Sequence, residues 1–181
     1  MSGLRYKSVH LLEIGILDGE SVELWRRFFN FYDKQTIRAV DIKLKDETKN
    51  KLNAKFSKSY DCYLCLPDSE EDNKVYLYEA DAYTPEFANK FHNDSFDIII
   101  DDGPHTLESQ LKFIDLYFPK IRNYSGRLII EDIQSKNDLQ AIEDKLNSME
   151  KIPYKTPRYK VYDLNANKGR YDDILIEIQK H

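Results

Sequence analysis

Cysteine, glycine and long apolar runs are all scarce in this chain, and each shortage closes off a class of protein. The 181 residues hold two cysteines, Cys62 and Cys65, in one CxxC within SYDCYLCLPD. A structural zinc site takes four ligands, and no second pair is present to complete one. A thioredoxin-type CxxC opens a helix, whereas these two residues alternate with Tyr63 and Leu64. Two reduced thiols in a strand or loop are the expectation. The six glycines do not form the G-x-G-x-x-G fingerprint, because the first glycine-bearing turn carries Leu17 at its middle position. That argues against a nicotinamide dehydrogenase, whose glycine turn serves a pyrophosphate. No apolar run approaches the roughly 20 residues needed to cross a bilayer. The opening MSGLRYKSVHLLEIG lacks an apolar segment followed by a small-residue cleavage site. A cytoplasmic protein with no membrane partner is expected. Positive charge is short as well: the net charge is −5, so no nucleic-acid partner is expected.

What is present describes a folded α/β protein. The length suits one domain over residues 1–181, with no repeat or linker to divide it. Hydrophobic residues make up 41% and charged residues 33%, a globular balance, and 13 tyrosines and 9 phenylalanines supply much of the candidate core. Short apolar runs occur at 9–14, 37–42, 75–78, 96–101, 127–131, 159–164 and 174–178. Several are apolar almost throughout, as strands covered by helices on both faces are. Between them lie helical stripes. Val22, Trp25, Phe29 and Tyr32 share one face; so do Leu107, Leu111, Ile114 and Phe118, with Pro119 closing that helix; so do Leu139, Ile142, Leu146 and Met149, preceded by a Ser135–Asp138 capping box. Residues 45–56 and 85–91 read as weaker helices, and 57–74 is the least legible stretch. The pattern predicts a Rossmann-like, doubly wound, mostly parallel sheet of seven strands. The link between the last two runs is too short for a helical crossover, so they should close the sheet as an antiparallel hairpin.

The first strand runs into Glu13-Ile14-Gly15-Ile16-Leu17-Asp18-Gly19-Glu20-Ser21, with a helix behind it. Gly15 and Gly19 allow a tight turn and the close approach of a ligand to the backbone. Open α/β sheets bind ligands beyond the carboxyl ends of their strands, where this loop falls. Asp41 ends the second strand, where an acid can hold both hydroxyls of an adenosine ribose. Asp81 follows the third run and is placed to border an adenine, and Asp101 ends the fourth, near the methionine portion of such a ligand. Glu13, Gly15, Gly19, Ser21, Asp41, Asp81 and Asp101 are therefore the candidate residues for an adenosine-type cofactor.

A second constellation follows the fourth and fifth strands, which read FDIIIDDGPH and LIIED. If those strands are neighbours, Asp102, Glu131 and Asp132 converge at one rim. Carboxylates that close repel one another unless a cation lies among them, and hard oxygen donors suit Mg²⁺ or a similar divalent ion. His105 follows Asp102 by three residues on a Gly-Pro turn, and imidazole titrates near neutral pH, as a general base must.

The motifs LLEIG, DGxS and LW, then VDI, DIIIDDGPH and LIIEDI, resemble those of the metal-dependent sugar O-methyltransferases of macrolide biosynthesis, of the mycinamicin and tylosin type. Some related sequences carry the label cephalosporin hydroxylase-like. The resemblance covers roughly residues 9 to 134 and is most specific at the fourth and fifth strands. It implies a class I methyltransferase in which Glu13, Gly15 and Gly19 hold S-adenosylmethionine and Asp41 holds its ribose. It further implies that Asp102, Glu131 and Asp132 bind Mg²⁺ and that His105 is the base. Two features depart from the family. Pro104 stands where the family usually has Ser. Eight residues precede the first strand, where relatives usually carry a covering segment, so the cover is expected to be missing or to come from a partner subunit.

The implied reaction is methylation of a hydroxyl on a sugar or other small molecule. The cation lowers the pKa of the hydroxyl, His105 takes its proton, and the oxygen attacks the sulfonium methyl. Two other readings stay open on the sequence: a metal-independent small-molecule methyltransferase, and a protein that holds S-adenosylmethionine without chemistry. An open site and exposed aromatics are consistent with a homodimer.

Overall fold

The computed structural model describes residues 8–29, 34–57, 61–65, 73–150, 156–164 and 174–181. They fall into two compact units, Met1–Ala82 and Tyr83–His181.

The first unit is built on β1 (Val9–Ile14), whose Leu11, Leu12 and Ile14 are all buried, as an apolar run with two covered faces requires. β2 (Gln35–Asp41) and β5 (Asn73–Glu79) run parallel to it in the order β5-β2-β1. α1 (Glu20–Phe28) crosses from β1 to β2, burying Val22 and stacking Trp25 on Phe29 at 6.0 Å between ring centroids. Its N-cap is Gly19 in a left-handed conformation with no side-chain cap; Glu20 and Glu23 in the first turn face the positive end of the helix instead. α2 (Asp46–Lys51) follows β2.

Two strands in this unit were not expected. The helix expected over 45–56 stops at Lys51, because Asn53 takes a left-handed φ of 50°. Its second half becomes β3 (Ala54–Ser57), which pairs antiparallel with β4 (Cys62–Cys65), and β4 pairs antiparallel with β5. The CxxC is therefore a strand, and Cys62 is a buried thiol in no disulfide. The described residues hold nine strands, which corrects the expected seven. β3 and β4 are four residues long, and β3 carries Lys55 and Ser57. Neither gives the apolar run that marked the others.

The second unit begins with α3 (Pro85–Ala88), N-capped by Thr84. β6 (Ile98–Asp101) and β7 (Arg127–Ile130) pair in parallel. Between them α4 (Leu107–Tyr117) buries Phe113, Ile114 and Tyr117 and ends in a 3₁₀ turn at Phe118–Lys120, where Pro119 was expected to stop it. The β6 run is shorter than expected, since Phe96 makes only an isolated bridge to Ile121. α5 (Lys136–Ser148) is capped by the Ser135 hydroxyl, which accepts from the Asp138 amide at 3.1 Å. β8 (Pro157–Asp163) and β9 (Ile174–Lys180) form the antiparallel hairpin, and β9 pairs antiparallel with β7, giving the order β6-β7-β9-β8. β9 buries alternate residues from Ile174 to Lys180. The buried Lys180 ammonium is satisfied by Asp94 at 2.6 Å and by the carbonyls of Pro119 and Ile121 at 2.9 and 2.6 Å. Parallel strand–helix–strand units ending in a reversed hairpin make this a Rossmann-like α/β fold. Among the described residues no helix is long and apolar enough to cross a membrane.

Candidate functional site

The loop after β1 is held by side chains that the sequence brings from β2 and α2. Gly15 and Gly19 have φ of 82° and 74°, and Leu17 between them has 44°. Asp41, at the end of β2, accepts from the amides of Ile16 and Leu17 at 3.0 and 3.1 Å, both on Oδ2. Its Oδ1 accepts from the Lys43 amide at 3.3 Å. The acid expected to hold a ribose thus also fastens the loop. Thr48 of α2 donates to the Leu17 carbonyl at 3.1 Å. A Cβ on Gly19 would lie 2.9 Å from Leu52 Cδ1 and 3.1 Å from Thr48 Cγ2, so α2 packs directly on the turn. Glu13 is buried in β1, Ser21 is half-buried in the first turn of α1, and Asp81 is exposed beyond β5.

Sequence reasoning passed over Glu79, the acid that ends β5. It accepts from the Leu44 amide at 3.1 Å and pairs with Lys49 at 3.2 Å. The Leu44 amide first, then Lys49, hold its carboxyl below the usual range. Its role is to tie down the segment that follows Asp41. The strand extends one residue beyond the apolar run, which is why the run gave no sign of it.

In the second unit, the parallel pairing of β6 and β7 sets Asp101 opposite Ile130. Asp101 is 3% exposed, and burial pushes its carboxyl up to about 6, against the opposing pull of the Tyr83 hydroxyl and the Gly103 amide. Asp102, next along, is half-buried. Burial raises its carboxyl as well; His105 works against that shift and the like charge of Asp132 adds to it. His105 Nε2 lies 3.7 Å from Asp102 Oδ1 and 4.0 Å from Asp132 Oδ2. One donor atom from each of these three residues lies within 4.8 Å of the others. His105 and Asp132 both have left-handed backbones, with φ of 56° and 49°, a conformation that is uncommon outside glycine and that His and Asp adopt more readily than most.

The structure brings together Asp102, His105 and Asp132, and Glu131 is not in that cluster. The Glu131 backbone donates to the Asp101 carbonyl at 3.1 Å and accepts from Gln110 Nε2 at 3.3 Å. Gln110, buried on α4, and Gln134, which donates to the Asp132 carbonyl at 3.0 Å, fix the backbone on which the acids stand. The Asp102 and Asp132 carboxylates are hard oxygen donors that fit a divalent cation, with the His105 imidazole beside them. Tyr83, which donates to Asp101 Oδ1, escaped sequence reasoning. Only the tertiary fold brings it to a residue 18 positions away.

No protein-family model matches the chain, and no curated protein matches it. Solved structures do. MycE methyltransferase of the mycinamycin biosynthetic pathway, in complex with Mg and SAH, superposes with a TM-score of 0.58 at 18% identity, covering 96% of this chain and 46% of that one. The chain therefore spans under half the length of MycE. Human methyltransferase-like protein 13 in complex with SAH superposes with a TM-score of 0.60 at 15% identity, covering 97% and 73%. Cofactor-bound Rv0187 from MTB gives 0.58 at 14% identity, covering 93% and 72%. The fold is that of class I S-adenosylmethionine-dependent methyltransferases.

Proposed function

We propose that this chain is an S-adenosylmethionine-dependent O-methyltransferase that uses Mg²⁺ or a similar divalent cation and acts on a hydroxyl of a sugar or other small molecule. The observation that carries this reading is the cluster of Asp102, His105 and Asp132 at the ends of β6 and β7, next to the buried Asp101. The likeness to MycE, whose structure holds Mg and SAH, supports it. In this reading residues 1–181 work as one cytoplasmic methyltransferase domain, able to pair as a homodimer.

The cofactor supplies an electrophilic methyl group, and the cation supplies a positive charge that lowers the pKa of a neighbouring hydroxyl. The chain does the rest. Glu13, Gly15, Gly19, Ser21, Asp41, Asp81 and Asp101 hold the cofactor. Asp102 and Asp132 would hold the cation, and Glu131, which precedes Asp132 in the chain, is proposed as its third carboxylate ligand. His105 receives the acceptor hydroxyl's proton on Nε2.

Calorimetric titration with S-adenosylmethionine, with and without Mg²⁺, tests the reading. Saturable binding is expected in both conditions, and methyl transfer to a sugar acceptor should stop on addition of EDTA. Absence of binding in either condition would overturn it.

A further inference from the structure

Tyr83 precedes α3, and its hydroxyl donates to Asp101 Oδ1, a carboxylate that also accepts from the Gly103 amide. The other oxygen, Oδ2, is fully buried and has no hydrogen-bond partner among the described residues. A buried acceptor left in that state costs about 1–3 kcal/mol, and folded proteins rarely carry one without a reason. Donation to Oδ1 fixes the plane of the carboxylate and therefore the direction of Oδ2. Position 103 closes the arrangement. A Cβ there would run into the Tyr83 hydroxyl and lie 3.2 Å from Asp101 Oδ1, so any side chain at 103 must push that hydroxyl aside. Tyr83, Asp101 and Gly103 form one lock around a single unsatisfied oxygen.

A buried carboxylate oxygen calls for a donor, and a cationic N–H donor gives the strongest bond. S-adenosylmethionine has one such group, the α-ammonium of its methionine portion. Its sulfonium carries no proton, and its adenine amino group is neutral. We infer that Tyr83 is a positioning residue, which orients Asp101 so that Oδ2 accepts a hydrogen bond from the cofactor's α-ammonium group. This rests on the reading of the chain as a binder of S-adenosylmethionine.

The test is calorimetry with two probes. S-adenosylhomocysteine carries the ammonium; methylthioadenosine keeps the nucleoside and thioether but lacks it. Tyr83→Phe should weaken binding of the first about tenfold, the scale of one hydrogen bond to a charged group, and leave the second unchanged. Asp101→Asn should show the same selective loss, and adding Tyr83→Phe to it should cost nothing more. Unchanged affinity for S-adenosylhomocysteine in Tyr83→Phe would overturn the inference. So would an equal loss for both probes, the mark of a merely structural role. A native chain that binds neither probe would instead overturn the cofactor reading, and this inference with it. Circular dichroism establishes that each variant folds. Should Tyr83→Phe not fold, Gly103→Ala displaces the same hydroxyl and must reproduce the selective loss.

Discussion

The two units carry acids of opposite character. In the first, Asp41 and Glu79 are satisfied by backbone amides: they accept from Ile16, Leu17, Lys43 and Leu44, and Glu79 adds Lys49. In the second, Asp101 is buried and Asp102 half-buried against their charge, and Asp102 stands beside Asp132 with His105 to offset it. The first unit uses carboxylates to hold a loop in shape. The second holds carboxylates in an environment that penalises them, and such under-compensated groups mark places built to receive a proton or a cation. Each of the following experiments tests that contrast.

The largest effect is expected at His105. His105→Ala should lower methyl transfer by roughly 10²- to 10⁴-fold, the usual worth of a general base, while cofactor affinity measured by calorimetry stays put. Turnover equal to the native chain would remove the base from the second unit and leave the contrast without a catalytic meaning.

Asp101 gives a pH signature. Its folded-state value of about 6 lies above the ordinary 3.8, so the folded chain keeps a proton that the unfolded chain gives up. Stability from this group is therefore fully present below about pH 4, falls as pH rises towards 6, and is flat above, a total of about 3 kcal/mol. Denaturant unfolding from pH 4 to 7 should show that decline, and Asp101→Asn should flatten it. Glu79 lies the other way: its carboxyl is held low, and it loses its pairing only in acid. A profile for Asp101→Asn that matches the native one would show that the second unit is not under electrostatic load.

Gly19→Ala probes the first unit. The substitution places a side chain at a φ of 74° and crowds Leu52, so a loss of about 1–2 kcal/mol in urea unfolding is expected from the left-handed backbone alone. Smallest of all should be Glu23→Ala, which removes pairs with Arg26 and Arg27 at 3.1 and 2.9 Å on the surface of α1. Partly exposed pairs of this spacing contribute under about 1 kcal/mol together. A larger loss would mean that α1, which lacks a side-chain cap, depends on Glu23 for its integrity.

The same contrast explains what could be read from the chain. β1, α1, α4, α5 and the closing hairpin were legible because burial on one or both faces writes a period into the residues. β3 and β4 were not, since short strands with Lys55 and Ser57 carry no such period. Asp102, His105 and Asp132 stood out as residue types after apolar runs. Their order in space did not: Glu131 and Asp132 are neighbours in sequence, and residue type alone does not say that Asp132 is the one that joins His105. Tyr83 left no trace at all, because its importance comes from a contact across 18 residues.

That contact also constrains how the sequence can drift. A side chain at Gly103 would displace the Tyr83 hydroxyl, so a change at one position is felt at the other. A lineage that trades Tyr83 for a smaller residue frees position 103 to vary, and one that gains a side chain at 103 gives up the bond from Tyr83 to Asp101. Sequences related to this chain should therefore show tyrosine at 83 and glycine at 103 kept or abandoned together, a record of the packing that reading any one sequence does not reveal.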